Sequence, residues 1–145
     1  MKALIDTCVI IDALQSRQPF APDAEQIFLL AANQKFDAFI SAKSSTDIFY
    51  LTKKVTHSNE MTREILNRIF QIFELLDTAG IDCKSALVTE ISSDYEDAVM
   101  IETAKRTGMD CIITRNEHDY SKSYVPVYSP DEFLQKFQDS STDSL

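Results

Sequence analysis

Short apolar runs alternate along the chain with longer segments in which apolar residues recur at helical spacing. Four runs predict strands, at residues 2–5, 36–40, 110–114 and 125–128. Six segments predict helices, at residues 9–14, 23–33, 44–51, 62–76, 95–105 and 130–137. Strands and helices that alternate in this way predict an α/β fold, with helices on both faces of a mostly parallel central sheet.

Residues that favour helix ends support some of these boundaries. Asp94 is predicted to cap the helix at 95–105, and Gly108 is predicted to end it. Gly80 is predicted to end the preceding helix, and Ser41 or Ser44 to cap the helix that contains Asp47.

The predicted helix at 62–76 carries a broad apolar face. It consists of Ile65, Leu66, Ile69, Phe70, Ile72, Phe73 and Leu76. A face this wide exceeds what one core contact requires, so deep burial is the favoured interpretation. The alternative is that part of the face serves a dimer or another partner.

Length and composition indicate one domain. The 145 residues, 44% of them hydrophobic, suffice for a single core at residues 1–138, and the acidic segment 139–145 is expected to be disordered. No apolar stretch of about 18 residues predicts a membrane span, and no secretory signal is evident. The three cysteines lack metal-binding or disulfide spacing, which favours a reduced, cytoplasmic setting.

Charge and glycine content exclude some classes of function. The net charge of −9 argues against tight, non-specific binding of long nucleic acid. With only two glycines the chain has no Gly-rich phosphate loop, which disfavours nucleotide cofactors.

Five acidic residues lie at or near the ends of apolar segments: Asp6, Asp47, Asp94, Asp97 and Asp119. Ligands of open α/β sheets bind outside the carboxyl ends of the strands, so acids at strand ends are expected to converge there. Converging carboxylates repel one another unless a cation neutralises them, and the pattern therefore predicts a divalent metal site. Taken singly, Asp6 is equally well explained as a helix cap, and Asp12 is expected to face solvent.

Four short motifs in order carry a resemblance to a known family. They are Asp6-Thr-Cys-Val9, Ser93-Asp-Tyr-Glu-Asp-Ala98, Ile113-Thr-Arg-Asn-Glu-His-Asp-Tyr120 and Val125-Pro-Val-Tyr-Ser-Pro-Asp-Glu-Phe-Leu134. Together they resemble the signatures of the PIN-domain nucleases over nearly the whole chain. The resemblance implies a three-layer α/β/α sandwich and a Mg²⁺- or Mn²⁺-dependent ribonuclease. Many such relatives are VapC-like toxins of toxin–antitoxin pairs.

The resemblance also assigns residue roles. Asp6, Asp47, Asp97 and Asp119 match the family's catalytic, metal-binding acids, although Asp47 is one methylene shorter than the more frequent Glu. Thr7, Asp94, Asn116 and Arg115 match substrate-contacting or outer-shell positions. Cys8 stands where Asn is common, which removes a hydrogen-bonding side chain near Asp6, and Tyr120 replaces a frequent Phe, a change expected to be tolerated.

The hypothesis also names basic side chains that could contact phosphates, and binding partners. The candidate phosphate contacts are Lys43, Lys53, Lys54, Arg115 and Lys122. The expected substrate is RNA, the expected protein partner is an antitoxin, and a homodimer is expected from the resemblance and the apolar helix surface.

Three other classes of protein are alternatives to the nuclease. A phosphoacceptor receiver domain would have paired acids after the first strand and a Lys after a later one, where Arg115-Asn116 stands instead. A haloacid-dehalogenase-type phosphatase would have Asp-x-Asp at the first strand, but position 8 is Cys. A PIN-like module that binds RNA or protein without cutting it is the alternative that stays open.

Overall fold

The computed structural model describes residues 1–143, with the side chains of residues 1–139. Within that range the strands are β1 (Lys2–Ile5), β2 (Asp37–Ser41), β3 (Glu74–Leu76), β4 (Cys111–Ile113) and β5 (Val127–Tyr128). The α-helices are α1 (Thr7–Leu14), α2 (Ala21–Ala32), α3 (Ser44–Thr56), α4 (Asn59–Ile72), α5 (Gly80–Thr89), α6 (Tyr95–Thr107) and α7 (Pro130–Asp143). A short 3-10 helix spans Glu117–Tyr120.

The strands form one sheet in the order β3-β2-β1-β4-β5, and every pairing in it is parallel. β1 is the central strand, with Leu4 opposite Phe39 of β2 on one side and Ile112 of β4 on the other. The chain moves from β1 toward β3 and then returns to β4 on the opposite side of β1. This reversal is a topological switch point, where open α/β sheets bind their ligands.

Apolar side chains of alternate strand residues point to opposite faces of the sheet. Ala3 and Ile5 contribute to a large core that includes residues of α1, α2, α3, α4 and α7. Leu4 and Ile112 face the other way and join a second core with Met100 of α6. The α/β/α sandwich expected from the sequence is therefore confirmed, and the sheet is wholly parallel in the described chain.

The segment between the third and sixth helices differs from its prediction. The helix predicted at 62–76 ends at Ile72, and Glu74–Leu76 instead form the strand β3, which pairs with β2. Phe73 adopts an extended backbone and is buried against the ring of Phe28, with 4.9 Å between centroids. Tertiary packing and strand pairing thus override the local helix propensity of Glu-Leu-Leu. Gly80 begins α5 rather than ending the previous helix.

Most residues of the broad apolar face are buried or half-buried, as favoured, whereas Phe70 remains exposed.

Four other predicted boundaries have different outcomes. Asp94 caps α6 and Gly108 ends it at a φ of 73°, both as predicted. The predicted serine cap of α3 is wrong, because Lys43 occupies the N-cap position without a side-chain hydrogen bond. The backbone of α7 continues to Asp143, past the predicted boundary at 138/139, while residues 144–145 of the predicted tail lie outside the described residues. No helix in the described part of the chain could span a membrane.

Candidate metal centre

Asp6 occupies the carboxyl end of the central strand and caps α1. Its Oδ1 accepts a hydrogen bond from the Thr7 backbone N–H at 2.7 Å. Its Oδ2 accepts one from the Thr114 hydroxyl at 2.8 Å, directly after β4. The Asp6 side chain is only 8% exposed, so these donors replace most of its lost hydration. Both readings of Asp6 are therefore compatible: it is a helix cap, and it lies at the switch point.

Three further carboxylates meet beside it. The side chains of Asp94, Asp97 and Asp119 each offer an oxygen that lies within 4.8 Å of the others. Asp94 also accepts a hydrogen bond from the Asp97 backbone N–H at 3.2 Å, so it caps α6 while it belongs to the cluster. Asp119 reaches the cluster from the 3-10 helix after β4.

The hydroxyl of Tyr120 connects Asp6 to this cluster. It lies 3.0 Å from Asp97 Oδ1 and 3.3 Å from Asp6 Oδ2, and the side chain is 1% exposed. Burial, together with the charges of Asp6 and Asp97, raises the pKa of Tyr120 far above its ordinary value. The phenol is therefore a neutral hydrogen-bond donor. The sequence indicated only that Tyr replaces Phe here, and no local signal shows where the hydroxyl points.

The cluster concentrates negative charge. Among the described residues, no Lys or Arg forms an ion pair with Asp6, Asp94, Asp97 or Asp119. Burial raises the pKa of Asp97 to about 7, and the charges of Asp6, Asp94 and Asp119 add to this rise. The hydrogen bond from Tyr120 acts in the opposite direction but does not offset the rise.

The chemistry of the donor atoms fits a hard divalent cation. Carboxylate oxygens are the ligands that Mg²⁺ and Mn²⁺ prefer. Cys8 lies near the same site, but burial and the charge of Asp6 raise the pKa of its thiol to about 11. In the metal-free protein the Cys8 Sγ lies 3.8 Å from Thr114 Oγ1, within hydrogen-bond distance.

The acids face a cleft of about 510 Å³. Asp47 lines this cleft from α3, but it is exposed and lies outside the cluster of three carboxylates. Thr7 and Asn116 also line it, and Asn116 donates its backbone N–H to Thr114 at 3.0 Å. No hydrogen bond involves the Asn116 side-chain amide within the described residues. All four predicted catalytic acids thus share one cleft, with Asp47 apart from the others.

The positive charges that line the cleft differ in part from those predicted. Lys43, Lys54 and Arg17 line it, and Arg17 was not anticipated. Lys53 and Lys122 are not among its lining residues.

Arg115 forms a structural contact with Asp12. It forms a two-pronged ion pair with Asp12, at 2.6 and 3.1 Å, and its guanidinium stacks 4.2 Å over the Phe20 ring. Asp12 is 1% exposed, so the expectation that it faces solvent is wrong. The long-range partner 103 residues away explains the error, because no local pattern reveals it.

Comparisons with known proteins agree with this fold. The profile of the PIN domain matches residues 2–118. Three solved structures share the fold at 17–19% identity: VapBC2 from Rickettsia felis bound to a DNA fragment from its promoter, DNA-bound VapBC from Salmonella typhimurium, and FitAcB from Neisseria gonorrhoeae. The first superposes with a TM-score of 0.63 at 17% identity over 89% of this chain and 98% of that one.

The other two structures give similar values. The Salmonella protein has a TM-score of 0.64 at 17% identity, covering 90% of this chain and 98% of its own. The Neisseria protein has a TM-score of 0.63 at 19% identity, covering 88% and 97%. No curated protein matches the sequence. Because the family profile covers most of the chain, the protein belongs to the PIN-domain family.

Proposed function

We propose that this protein is a nuclease that hydrolyses the phosphodiester bonds of RNA with Mg²⁺ or Mn²⁺. The observation that carries the proposal is the cluster of Asp94, Asp97 and Asp119, joined to Asp6 at the switch point without a neutralising cation. Membership in the PIN-domain family supports the same conclusion. RNA is the substrate that the sequence resemblance implies.

The acids of the cleft would bind the metal ion. Asp97, Asp119 and Asp94 would hold the ion with Asp6 beside them, and Asp47 is retained as a ligand candidate from α3. When bound, Mg²⁺ or Mn²⁺ supplies positive charge to the scissile phosphate and lowers the pKa of a water molecule.

Other groups of the chain attract and place the substrate. Lys43, Lys54 and Arg17 put positive charge on the walls of the cleft, where they can contact phosphates flanking the scissile bond. Because the protein as a whole carries a net charge of −9, the attraction for RNA is confined to the cleft. Arg115 is assigned no phosphate contact, since Asp12 already binds its guanidinium.

Cleavage of a short labelled single-stranded RNA in the presence of Mn²⁺ tests the proposal. We expect wild type to cut and both Asp6→Asn and Asp97→Asn to lose cutting. Asp37→Asn is the matched control, because Asp37 is exposed and begins β2 at the amino ends of the strands. A DNA oligonucleotide of the same sequence separates ribonuclease from deoxyribonuclease activity. Mn²⁺ binding without cutting of several RNAs would instead favour the PIN-fold binding module.

We further propose an antitoxin-like protein partner, because relatives with this fold are found in toxin–antitoxin complexes. A mostly apolar groove between α3 and α4 is available for it, lined by Phe49, Tyr50, Leu66 and Phe70. Coexpression with a candidate antitoxin is expected to give a complex that does not cut RNA. Phe70→Glu should abolish the complex and spare cleavage, while Leu87→Glu on the exposed face of α5 should spare both. A homodimer remains a prediction for sedimentation analysis.

A further inference from the structure

One tyrosine side chain joins parts of the candidate metal centre that lie far apart in the sequence. Tyr120 follows β4, Asp6 follows β1 and Asp97 lies in the first turn of α6. The hydroxyl of Tyr120 is within hydrogen-bond distance of both carboxylates, across 114 and 23 residues of sequence. In the described residues no other side chain hydrogen-bonds to both.

The hydrogen-bond inventory shows what this contact does to the two acids. A carboxylate can accept about four hydrogen bonds or metal bonds, and a phenol has a single proton to donate. Asp6 accepts from Thr7 and Thr114, which fixes its orientation, and shares the single Tyr120 proton, from which it is the more distant acceptor at 3.3 Å. Asp97 accepts only from Tyr120, through Oδ1. Tyr120 is therefore the one side chain in the described protein that hydrogen-bonds to the Asp97 carboxylate, and Oδ2 of Asp97 stays available.

Packing does not require the hydroxyl. The Tyr120 ring belongs to the core beside Leu4 and Met100, and a phenylalanine ring would fill the same space. What a phenylalanine lacks is the donor between two like charges. Without it, the two carboxylates repel each other with less compensation and Asp97 can rotate away.

From this geometry we infer that Tyr120 is a positioning residue of the metal centre, whose hydroxyl holds Asp97 and Asp6 in the arrangement that receives the divalent cation. The inference rests on the proposed metal-dependent function. It differs from that function in assigning the arrangement of the acids to a residue that is not itself a ligand. Partners of metal ligands that fix ligand orientation contribute about 10- to 100-fold to metal affinity.

The test is the affinity for Mn²⁺ of Tyr120→Phe, measured from the electron paramagnetic resonance signal of the free ion. We expect Kd to rise about 10- to 100-fold relative to wild type. Circular dichroism and thermal melting check that the variant is folded. Tyr124→Phe is the matched control, because the Tyr124 hydroxyl donates instead to Glu102 at 3.1 Å, outside the cleft. Its Kd for Mn²⁺ should equal that of wild type.

A second readout separates positioning from direct catalysis. If Tyr120 acts only through the metal ligands, raising Mn²⁺ in proportion to the weakened Kd should restore cleavage by Tyr120→Phe, with the KM for RNA unchanged. A folded Tyr120→Phe that binds Mn²⁺ within about threefold of wild type would overturn the inference and leave the nuclease proposal standing. Wild type that binds no Mn²⁺ would overturn both, so the two failures are distinguishable.

Discussion

The surroundings of two carboxylates of this protein, Asp82 and Asp97, shift their pKa values in opposite directions. Asp82 is 2% exposed and accepts hydrogen bonds from the Ala79 backbone, the Thr103 hydroxyl and the Arg106 guanidinium, at 2.8–3.0 Å. Burial acts to raise the pKa of Asp82, but the hydrogen bonds, that of Arg106 above all, outweigh it and lower the pKa. Around Asp97 burial and three neighbouring acids prevail, and its pKa is raised to about 7.

The difference separates structural charge from functional charge. Two buried acids with structural roles are each paired with a guanidinium, in the pairs Asp82–Arg106 and Asp12–Arg115. At the switch point, Asp6, Asp94 and Asp97 accept hydrogen bonds from neutral donors only, and Asp119 accepts no side-chain hydrogen bond within the described residues. Such an arrangement costs free energy in the metal-free protein, and a bound cation recovers that cost.

The largest expected effect is the loss of RNA cleavage in Asp97→Asn, without a loss of stability. Asp97→Asn should lower RNA cleavage by at least about 100-fold, because it removes a charge that stabilises the bound metal. The same change should leave the melting temperature of the metal-free protein unchanged or higher, because it relieves repulsion among the acids. Cleavage assays and thermal melts in EDTA measure the two effects. A loss of stability in EDTA would mean that Asp97 serves the fold instead.

Metal binding should stabilise the protein through the same acids. At a Mn²⁺ concentration of 100 times Kd, the free energy of unfolding should rise by about 2.7 kcal/mol. Thermal or urea unfolding with Mn²⁺ and with EDTA measures the increase. Asp97→Asn should lose this stabilisation, while Asp82→Asn should keep it. Equal stabilisation of Asp97→Asn would place the metal elsewhere.

The substitution Asp82→Asn should have the opposite effect: it should lower stability and leave activity unchanged. Asp82→Asn leaves Arg106 without its partner and weakens the start of α5. Breaking a fully buried pair costs about 3–5 kcal/mol, but Arg106 is 36% exposed, so we expect a loss of about 2 kcal/mol. The melting temperature should then fall by roughly 5–10 °C. Activity per folded molecule and Mn²⁺ affinity should not change; a drop in either would couple this pair to the cleft.

The same comparison shows what the sequence could and could not predict. Asp6 and Asp119 follow apolar runs that are strongly strand-like, so their convergence at one edge of a parallel sheet could be foreseen. Asp94 and Asp97 could be placed on one helix turn because the capping pattern is local. The family motifs then connected these segments.

Long-range contacts explain what was missed. In the sequence Asp12 resembles a surface residue of α1, because its partner Arg115 lies near the other end of the chain. The strand β3 has helix-forming residues and exists because β2 offers a free edge for pairing. The role of the Tyr120 hydroxyl depends on three segments meeting, which no single motif encodes.

The smallest expected effect is a pH dependence of stability that belongs to Asp97. In the metal-free folded protein its pKa is about 7, against an ordinary value of 3.8. The folded state therefore holds a proton that the unfolded state releases, and this contribution to stability is complete below pH about 4 and is lost as the pH rises through about 7. Melting temperatures in EDTA should accordingly fall more steeply for wild type than for Asp97→Asn between pH 5 and pH 8, by a few degrees. The difference between the two proteins isolates the contribution of Asp97. Parallel curves would mean that burial and the neighbouring carboxylates do not raise the pKa of Asp97, and the contrast with Asp82 would then rest on geometry alone.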